Sequence, residues 1–300
     1  MNHISESEPV FFTWVYSPET RQDASILIES IRTFGGSFSQ HPVWVFESNP
    51  EEVDSQIVGG PGIERITLDT PERLRHYYYG HKVYACGQAE KLASEGAGSM
   101  IWVSPEMLFT QPPELFDLSG EFDAAVRPVH IQNVGLGISQ APDDFWQGVY
   151  RAVGAGDITS EVESFVDGQR LRSYFNSAAF AVDPSLGLCQ RWLEVFEKLV
   201  IDQEFQESAC QDDWHQVFLH QALLSALLAS EISPERLRIL PPSYIYPYNL
   251  HADVPPERQA HSLDELVCIY HEGRTLNPEK IADINLSVAL KSWLMINTAG

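Results

Sequence analysis

Basic residues are scarce in this 300-residue chain: 19 Lys and Arg stand against 42 Asp and Glu, a formal charge of −23 with histidine neutral. A surface so acidic repels the phosphate backbone of nucleic acid and the anionic face of a membrane, and neither is expected as a partner. An anionic small molecule is not excluded, because a few well-placed cations set the potential inside a pocket. Cysteine is sparse as well. Cys86, Cys189, Cys210 and Cys268 form no Cys-x-x-Cys pair, which argues against both a disulfide framework and a cysteine metal site. No apolar run approaches a membrane span, and MNHISESEPV at the N-terminus is polar and acidic where a secretory signal is basic and then apolar. The expectation is a cytoplasmic protein, in which the sequon Asn285-Leu286-Ser287 carries no meaning.

Several catalytic signatures are also missing. Gly135-Leu136-Gly137 lacks the third glycine of a dinucleotide fingerprint, and Gly59-Gly60-Pro61-Gly62 has no Lys-Ser/Thr after it. There is no Gly-x-Ser-x-Gly elbow and no His-Glu-x-x-His, so neither familiar hydrolase signature is present. No internal repeat or low-complexity segment is evident.

What is present has the rhythm of an α/β domain. Val10 to Tyr16 is a β-branched and aromatic run, Ala24 to Phe34 puts Leu27, Ile31 and Phe34 on one helical face, and Gly35-Gly36 stops that helix. Val43 to Glu47 and Arg65 to Leu68 predict the next strands, His81 to Ser94 a helix ended by Gly96 and Gly98, and Ser99 to Val103 a strand. Further strands are expected at Asp123 to Val129, Tyr174 to Val182 and Leu266 to Tyr270, and helices at Asp143 to Val153, Gln190 to Val200, Asp212 to Ala229 and Pro278 to about Asn297. Asp167-Gly168 predicts a tight hairpin turn between Val162 to Val166 and Arg170 to Ser173. Alternating strands and helices imply one mixed, mostly parallel, Rossmann-like sheet flanked by helices, in a single domain over 1–300. Residues 10–110 form one half of it and 111–300 the other, with an insertion at about 135–172. Ser104-Pro105-Glu106 then falls at a strand's carboxyl end, where open α/β sheets bind ligands.

In order along the chain, these segments resemble the glycogenin-like glycosyltransferases and the related GT-A type nucleotide-diphospho-sugar transferases. GHKVYACGQAEKLASEGAGSMIWVSPEMLF (80–109) is similar to that family's lysine-bearing helix and the apolar strand that leads to its Asp-x-Asp motif. SYFNSAAFAVDP (173–184) resembles its Phe-Asn-Ser-Gly segment, HQVFLHQALLSAL (215–227) its Asp-Gln-x-x-Leu-Asn helix, LPPSYIYPYN (240–249) its Leu-Pro-x-x-Tyr-Asn stretch and IYHEG (269–273) its late histidine-containing strand end. The resemblance implies transfer of a sugar from a nucleotide-sugar donor to an acceptor that the sequence does not name, with 10–110 as the nucleotide-binding half and 111–300 as the acceptor-side half.

It also implies site residues. Glu106 and His271 become metal ligands for Mn²⁺ or Mg²⁺, while Thr13, Tyr16, Lys82, Ser104, Arg127 and Gly273 become donor contacts. Asn176, His215 and Gln216 become the sugar-handling and catalytic group. Two departures stand out. Ser104-Pro105-Glu106 replaces Asp-x-Asp, so one carboxylate becomes a hydroxyl, and His215 and His220 replace the family's Asp and Asn. Asp212 or Asp213 could serve as the displaced carboxylate in another register. Those losses leave open a protein of the same fold that binds nucleotide, sugar or a protein partner without transfer. Read alone, each residue has a plainer alternative: Glu106 a loop carboxylate, His271 a satisfied buried histidine, Lys82 a surface lysine, Asn176 a strand closure, and Thr13 and Tyr16 ordinary strand residues. Tyr77 to Tyr79 and Tyr244 to Tyr248 could stack on a sugar or base, with packing the more common use. His215 and His220, five apart on a helix, diverge by more than a hundred degrees by helical geometry and do not share a metal.

Overall fold

The structure, a computed structural model, describes residues 8–48, 60–93, 98–272 and 284–298. Strands β1 (Pro9–Val15), β2 (Val43–Glu47) and β3 (Ile63–Thr67) pair in parallel, with helix α1 (Pro18–Phe34) crossing between the first two. The short α2 (Glu72–Arg75) and the longer α3 (Gly80–Ala93) lead to β4 (Ser99–Val103), which pairs with β1 at the middle of the sheet. Then follow β5 (Met107–Phe109), β6 (Ala124–Val126), α4 (Asp144–Val153), the hairpin strands β7 (Glu161–Glu163) and β8 (Arg170–Arg172), and β9 (Ala179–Val182). Helices α5 (Leu188–Ile201), α6 (Gln203–Ala209) and α7 (Asp213–Glu231), strands β10 (Leu237–Ile239), β11 (Tyr246–Pro247) and β12 (Cys268–Tyr270), and helix α8 (Val288–Asn297) complete the order.

The seven-stranded sheet runs β10-β6-β9-β4-β1-β2-β3, parallel except that β9 is antiparallel to both β4 and β6. A second sheet, β11-β12-β5, grows from the turn after β4. Both faces of the main sheet are covered, so its strands read as nearly unbroken apolar runs rather than alternating ones. Phe12, Trp102 and Phe180 pack towards α3, α5 and α7, while Phe11, Val45 and Ile101 pack towards α1. No helix among the described residues is long and apolar enough to cross a membrane.

Several boundaries differ from expectation, each for a local reason. Helix α1 starts at Pro18, not Ala24, because Ser17 and Thr20 close a reciprocal capping box ahead of a proline. Its polar first turns show no apolar period. Strand β6 stops at Val126 rather than Val129, since Pro128 has no N–H for a ladder and the Arg127 guanidinium binds the carbonyls of Pro241 and Tyr244. The strand expected from Tyr174 begins at Ala179, because the Asn176 side chain accepts the Ala178 N–H at 2.7 Å in place of a strand neighbour. The hairpin forms, though Ser164 to Gln169 bridges it as a wider turn than Asp167-Gly168 alone. The last helix starts at Val288, capped by Ser287, instead of Pro278; residues 278–283 and the expected stop at Gly96 lie outside the described residues.

One cap is long-range. Helix α5 follows Gly187, which offers no side-chain cap, and the Glu90 carboxylate of α3 accepts the N–H groups of Cys189 and Gln190 at 2.9 and 2.7 Å. Gly87, one turn earlier, lets α3 approach closely: an added Cβ would stand 2.8 Å from Leu193 Cδ2. A carboxylate on two orphan helix donors is charge-assisted and completes the α5 dipole. Glu90→Ala is expected to lower unfolding free energy by about 1–3 kcal/mol, as expected when buried donors lose their partner, read as a lower urea midpoint. An unchanged midpoint would refute the cap.

Candidate active site

The turn at the carboxyl end of β4 is built by two backbone bonds. Ser104 N–H donates to the Ala178 carbonyl at 2.7 Å, and Met107 N–H returns to the Ser104 carbonyl at 3.1 Å. That turn projects Glu106 at the junction of the two sheets. Because β5 pairs with β12 in antiparallel register, Met107 facing Tyr270, the next residue reaches Glu106: His271 N–H donates to its carbonyl at 3.0 Å. Tyr270 Oη donates to the Glu106 carboxylate at 3.4 Å. Burial first, then the charges of Glu106 and Glu272, push the Tyr270 phenol well above its ordinary range. The Glu106 charge also helps burial raise Tyr16, and with Glu272 it helps burial raise Tyr79 to about 12. Tyr16, Tyr79, Tyr270 and Glu272 therefore share the field of one carboxylate.

His271 is almost completely buried, and neither ring nitrogen has a hydrogen-bond partner among the described residues. Burial lowers its pKa to about 4, leaving a neutral imidazole with a lone pair to give. Glu272, which sequence reasoning passed over, accepts the Asn249 amide at 3.0 Å and is raised by burial and then by Glu106. Among the described residues no three His, Cys, Asp or Glu side chains gather tightly enough to hold a metal by themselves. The chemistry of His271 and Glu106 fits two ligands of a hard or borderline cation, with the remainder left to substrate oxygens. Gly273 lies outside the described residues.

Beneath this turn sits a buried cation. Lys82 is buried rather than on the surface; its Nζ donates to the Ser177 carbonyl at 2.5 Å and lies 3.5 Å from His220 Nε2. The rings of Tyr79 and Trp102 flank the ammonium at 5.4 and 5.3 Å, and Trp102 Nε1 donates to the same carbonyl at 3.0 Å. Burial lowers the Lys82 pKa to about 7, while the carbonyl and the two π faces favour the proton. Ser177 is gripped from α7 too: its N–H and Oγ meet Gln221 Oε1 at 3.2 and 3.1 Å, and Oγ meets His220 Nε2 at 2.9 Å. His220 Nδ1 faces the Val217 carbonyl at 2.8 Å, which fixes the tautomer with the proton there. Tyr79, with a left-handed φ of 57°, stacks over that imidazole at 4.2 Å. Lys82 thus holds the Asn176–Ser177 segment. Asn176 N–H donates to the Arg127 carbonyl at 2.8 Å, and its Nδ2 has no partner among the described residues.

The other sequence candidates fall elsewhere. Thr13 is buried within β1, and its hydroxyl has no hydrogen-bond partner among the described residues. Tyr16 is half-exposed beyond β1 and heads a stack: its ring lies 4.6 Å from Trp14, which lies 5.1 Å from His81. Ser48 and Thr70 hold that stack through Trp14 Nε1 and His81 Nδ1. Arg127 is buried, its donors on carbonyls and its plane 4.5 Å over Phe165, so it braces a loop. His215 and Gln216 belong to the first turn of α7, bonded to Asp212 at 2.7 Å and to the Cys210 carbonyl at 2.9 Å. The pair on that helix that reaches the Asn176–Ser177 segment is His220 and Gln221, four to six residues on. Asp212 is the helix N-cap. Two surface hollows, about 420 Å³ beside Gly154 to Ser160 and about 510 Å³ beside α1, include none of the site residues.

Burial, then the Lys82 charge, keeps His220 neutral, its pKa well below the ordinary 6.5. A base whose folded pKa is depressed contributes stability above its unfolded pKa and loses it as pH falls towards the folded value. As pH falls from 6.5 towards 5 His220 is therefore expected to cost stability with a slope that rises towards one proton's worth, about 1.4 kcal/mol per pH unit. Urea titrations at pH 7 and pH 5 should show a shallower loss in His220→Asn than in the wild type. Equal losses would mean that His220 is not held neutral.

Residues 11–230 match the family described as the Rhodobacterales glycosyltransferase domain. A search of curated proteins finds no match. Among solved structures the chain is similar to the apo bifunctional glycosyltransferase WbbM, at 12% identity and TM-score 0.56 over 99% of this chain and 50% of that one. It spans about half of WbbM. It is also similar to the galactosyltransferase LgtC, solved with donor and acceptor sugar analogues, at 13% identity and TM-score 0.51 over 97% and 95% of the two chains. At these identities the likeness speaks for the fold. The family match runs from β1 into the last turn of α7 and takes in Lys82, the Ser104–Glu106 turn and Asn176–Ser177. On that match the chain belongs to the Rhodobacterales glycosyltransferase domain family, built on a GT-A-like fold.

Proposed function

We propose that this chain transfers a sugar from a nucleoside-diphosphate donor to an acceptor, with Mn²⁺ or Mg²⁺ held between Glu106, His271 and the donor's diphosphate. The observation that carries this reading is the backbone bond that sets Glu106 beside the neutral His271, whose ring has no hydrogen-bond partner among the described residues, at the carboxyl end of the central strand. The local charge supports it. Glu106 and Glu272 face the site, whereas Lys82 and Arg127 are buried and engaged with carbonyls, so a diphosphate needs a cation to approach. The ion's contribution is neutralisation of the leaving diphosphate. Ser104 would add a hydroxyl ligand, directly or through water. The Tyr16–Trp14–His81 stack offers an aromatic surface to the base, and the Nδ2 of Asn176 a donor to a sugar hydroxyl. His215 and Gln216 enter only with their contacts to Asp212 and Cys210 exchanged for substrate. A cytoplasmic setting is part of this reading, in keeping with four cysteines that are free and buried.

The Ser104 hydroxyl, standing where a carboxylate is expected, favours a second reading: a binding protein without transfer. Thermal scans with nucleoside diphosphates and nucleotide sugars, with and without Mn²⁺, separate the two. At a hundredfold excess over its dissociation constant a ligand adds about 2.7 kcal/mol, a shift of several degrees. Transfer predicts a shift that needs the metal and disappears in Glu106→Ala and His271→Ala. A metal-independent shift that survives Glu106→Ala supports the binding protein. No shift with any nucleotide at millimolar concentration overturns both.

A further inference from the structure

Trp214 is 61% exposed, and its ring stacks on Phe218 with centroids 5.6 Å apart and planes only 8° from parallel. Burying an indole is strongly favourable, so one held in water flat against a second ring presents a ready apolar contact surface. Its position on α7 says for what. Seven residues make two helical turns to within about 20°, so Trp214 shares a helix face with Gln221, and Phe218 lies between them. Gln221 is the residue that binds Ser177. The two rings continue the site-facing stripe of α7 outward by about 10 Å of helical rise. The segment 202–213 that leads into them carries Asp202, Glu204, Glu207, Asp212 and Asp213 and no Lys or Arg. Such a rim repels anions and offers acceptors to hydroxyl groups, with exposed Asp213 next to the indole.

We propose that Trp214 and Phe218 form the platform on which a neutral oligosaccharide acceptor lies. The apolar C–H face of a pyranose covers an aromatic ring, and its equatorial hydroxyls reach the acidic rim. A sugar carrying carboxylate or sulfate is disfavoured by the same rim. The assignment rests on the transferase reading insofar as it makes this saccharide the acceptor.

The test measures binding by the full chain of neutral gluco-, galacto- and manno-configured oligosaccharides, and of the corresponding oligouronates, by saturation-transfer NMR. At least one neutral oligosaccharide should bind, its affinity falling tenfold or more in Trp214→Ala and largely returning in Trp214→Tyr, with oligouronates weaker throughout. Nucleotide stabilisation should be unchanged in both variants. The platform is overturned if no neutral oligosaccharide binds the wild type, or if Trp214→Ala and Phe218→Ala bind as the wild type does, the result expected if a protein partner covers the rings. Saccharide binding without any nucleotide stabilisation would sink the transferase reading and leave the platform standing; the converse would sink the platform alone.

Discussion

A single carbonyl oxygen, that of Ser177, ties the layers of this protein together around the site. It receives the Lys82 ammonium from α3 and the Trp102 indole from β4, while the Ser177 hydroxyl and N–H are taken by His220 and Gln221 of α7. An ammonium buried without compensation would cost several kcal/mol. Here one strong acceptor and two aromatic faces compensate, and the position of the Asn176–Ser177 segment follows from satisfying that charge. The segment in turn accepts the Ser104 N–H through Ala178, so the placement of the Glu106 turn depends on the same anchor.

Above the anchor the sign of the potential reverses. Glu106 and Glu272 raise neighbouring phenols in addition to the effect of burial, and the cations that a sequence reading would aim at a phosphate are spent on backbone carbonyls. An acidic cleft in an acidic protein is a poor receptor for a diphosphate by itself and a good one for a divalent cation. The neutrality of His271 fits that arrangement, since a protonated imidazole could not donate a lone pair.

The central strands were legible in the sequence because strands buried on both sides spell out continuous apolar runs: β1, β2 and β4 fall within a few residues of their predicted places. Ends were less legible where side chains take over backbone partners, as Asn176 does before β9 and Ser17 before α1. The places of Glu106 after β4 and of His271 after β12 could be read from the order of segments, since each follows a short apolar strand. The burial of Lys82 could not, because its partners stand 95 residues away at Ser177 and 20 away at Trp102. The Trp14–His81 stack left no periodic trace either, one ring lying on a strand and the other on a helix. For the aromatic run before α3 packing is the more common use, a description that suits Tyr77 against Phe196 and misses Tyr79 over His220.

Tyr79 holds a backbone conformation that a bulky residue rarely adopts, and it does so directly over the Lys82 and His220 pair. A glycine would relieve that torsion but leave no ring, and water would then reach an ammonium whose pKa depends on its absence. The strained torsion therefore builds one wall of the chamber in which burial holds the deepest cation of the site: the phenol ring lies flat against the imidazole and faces the ammonium.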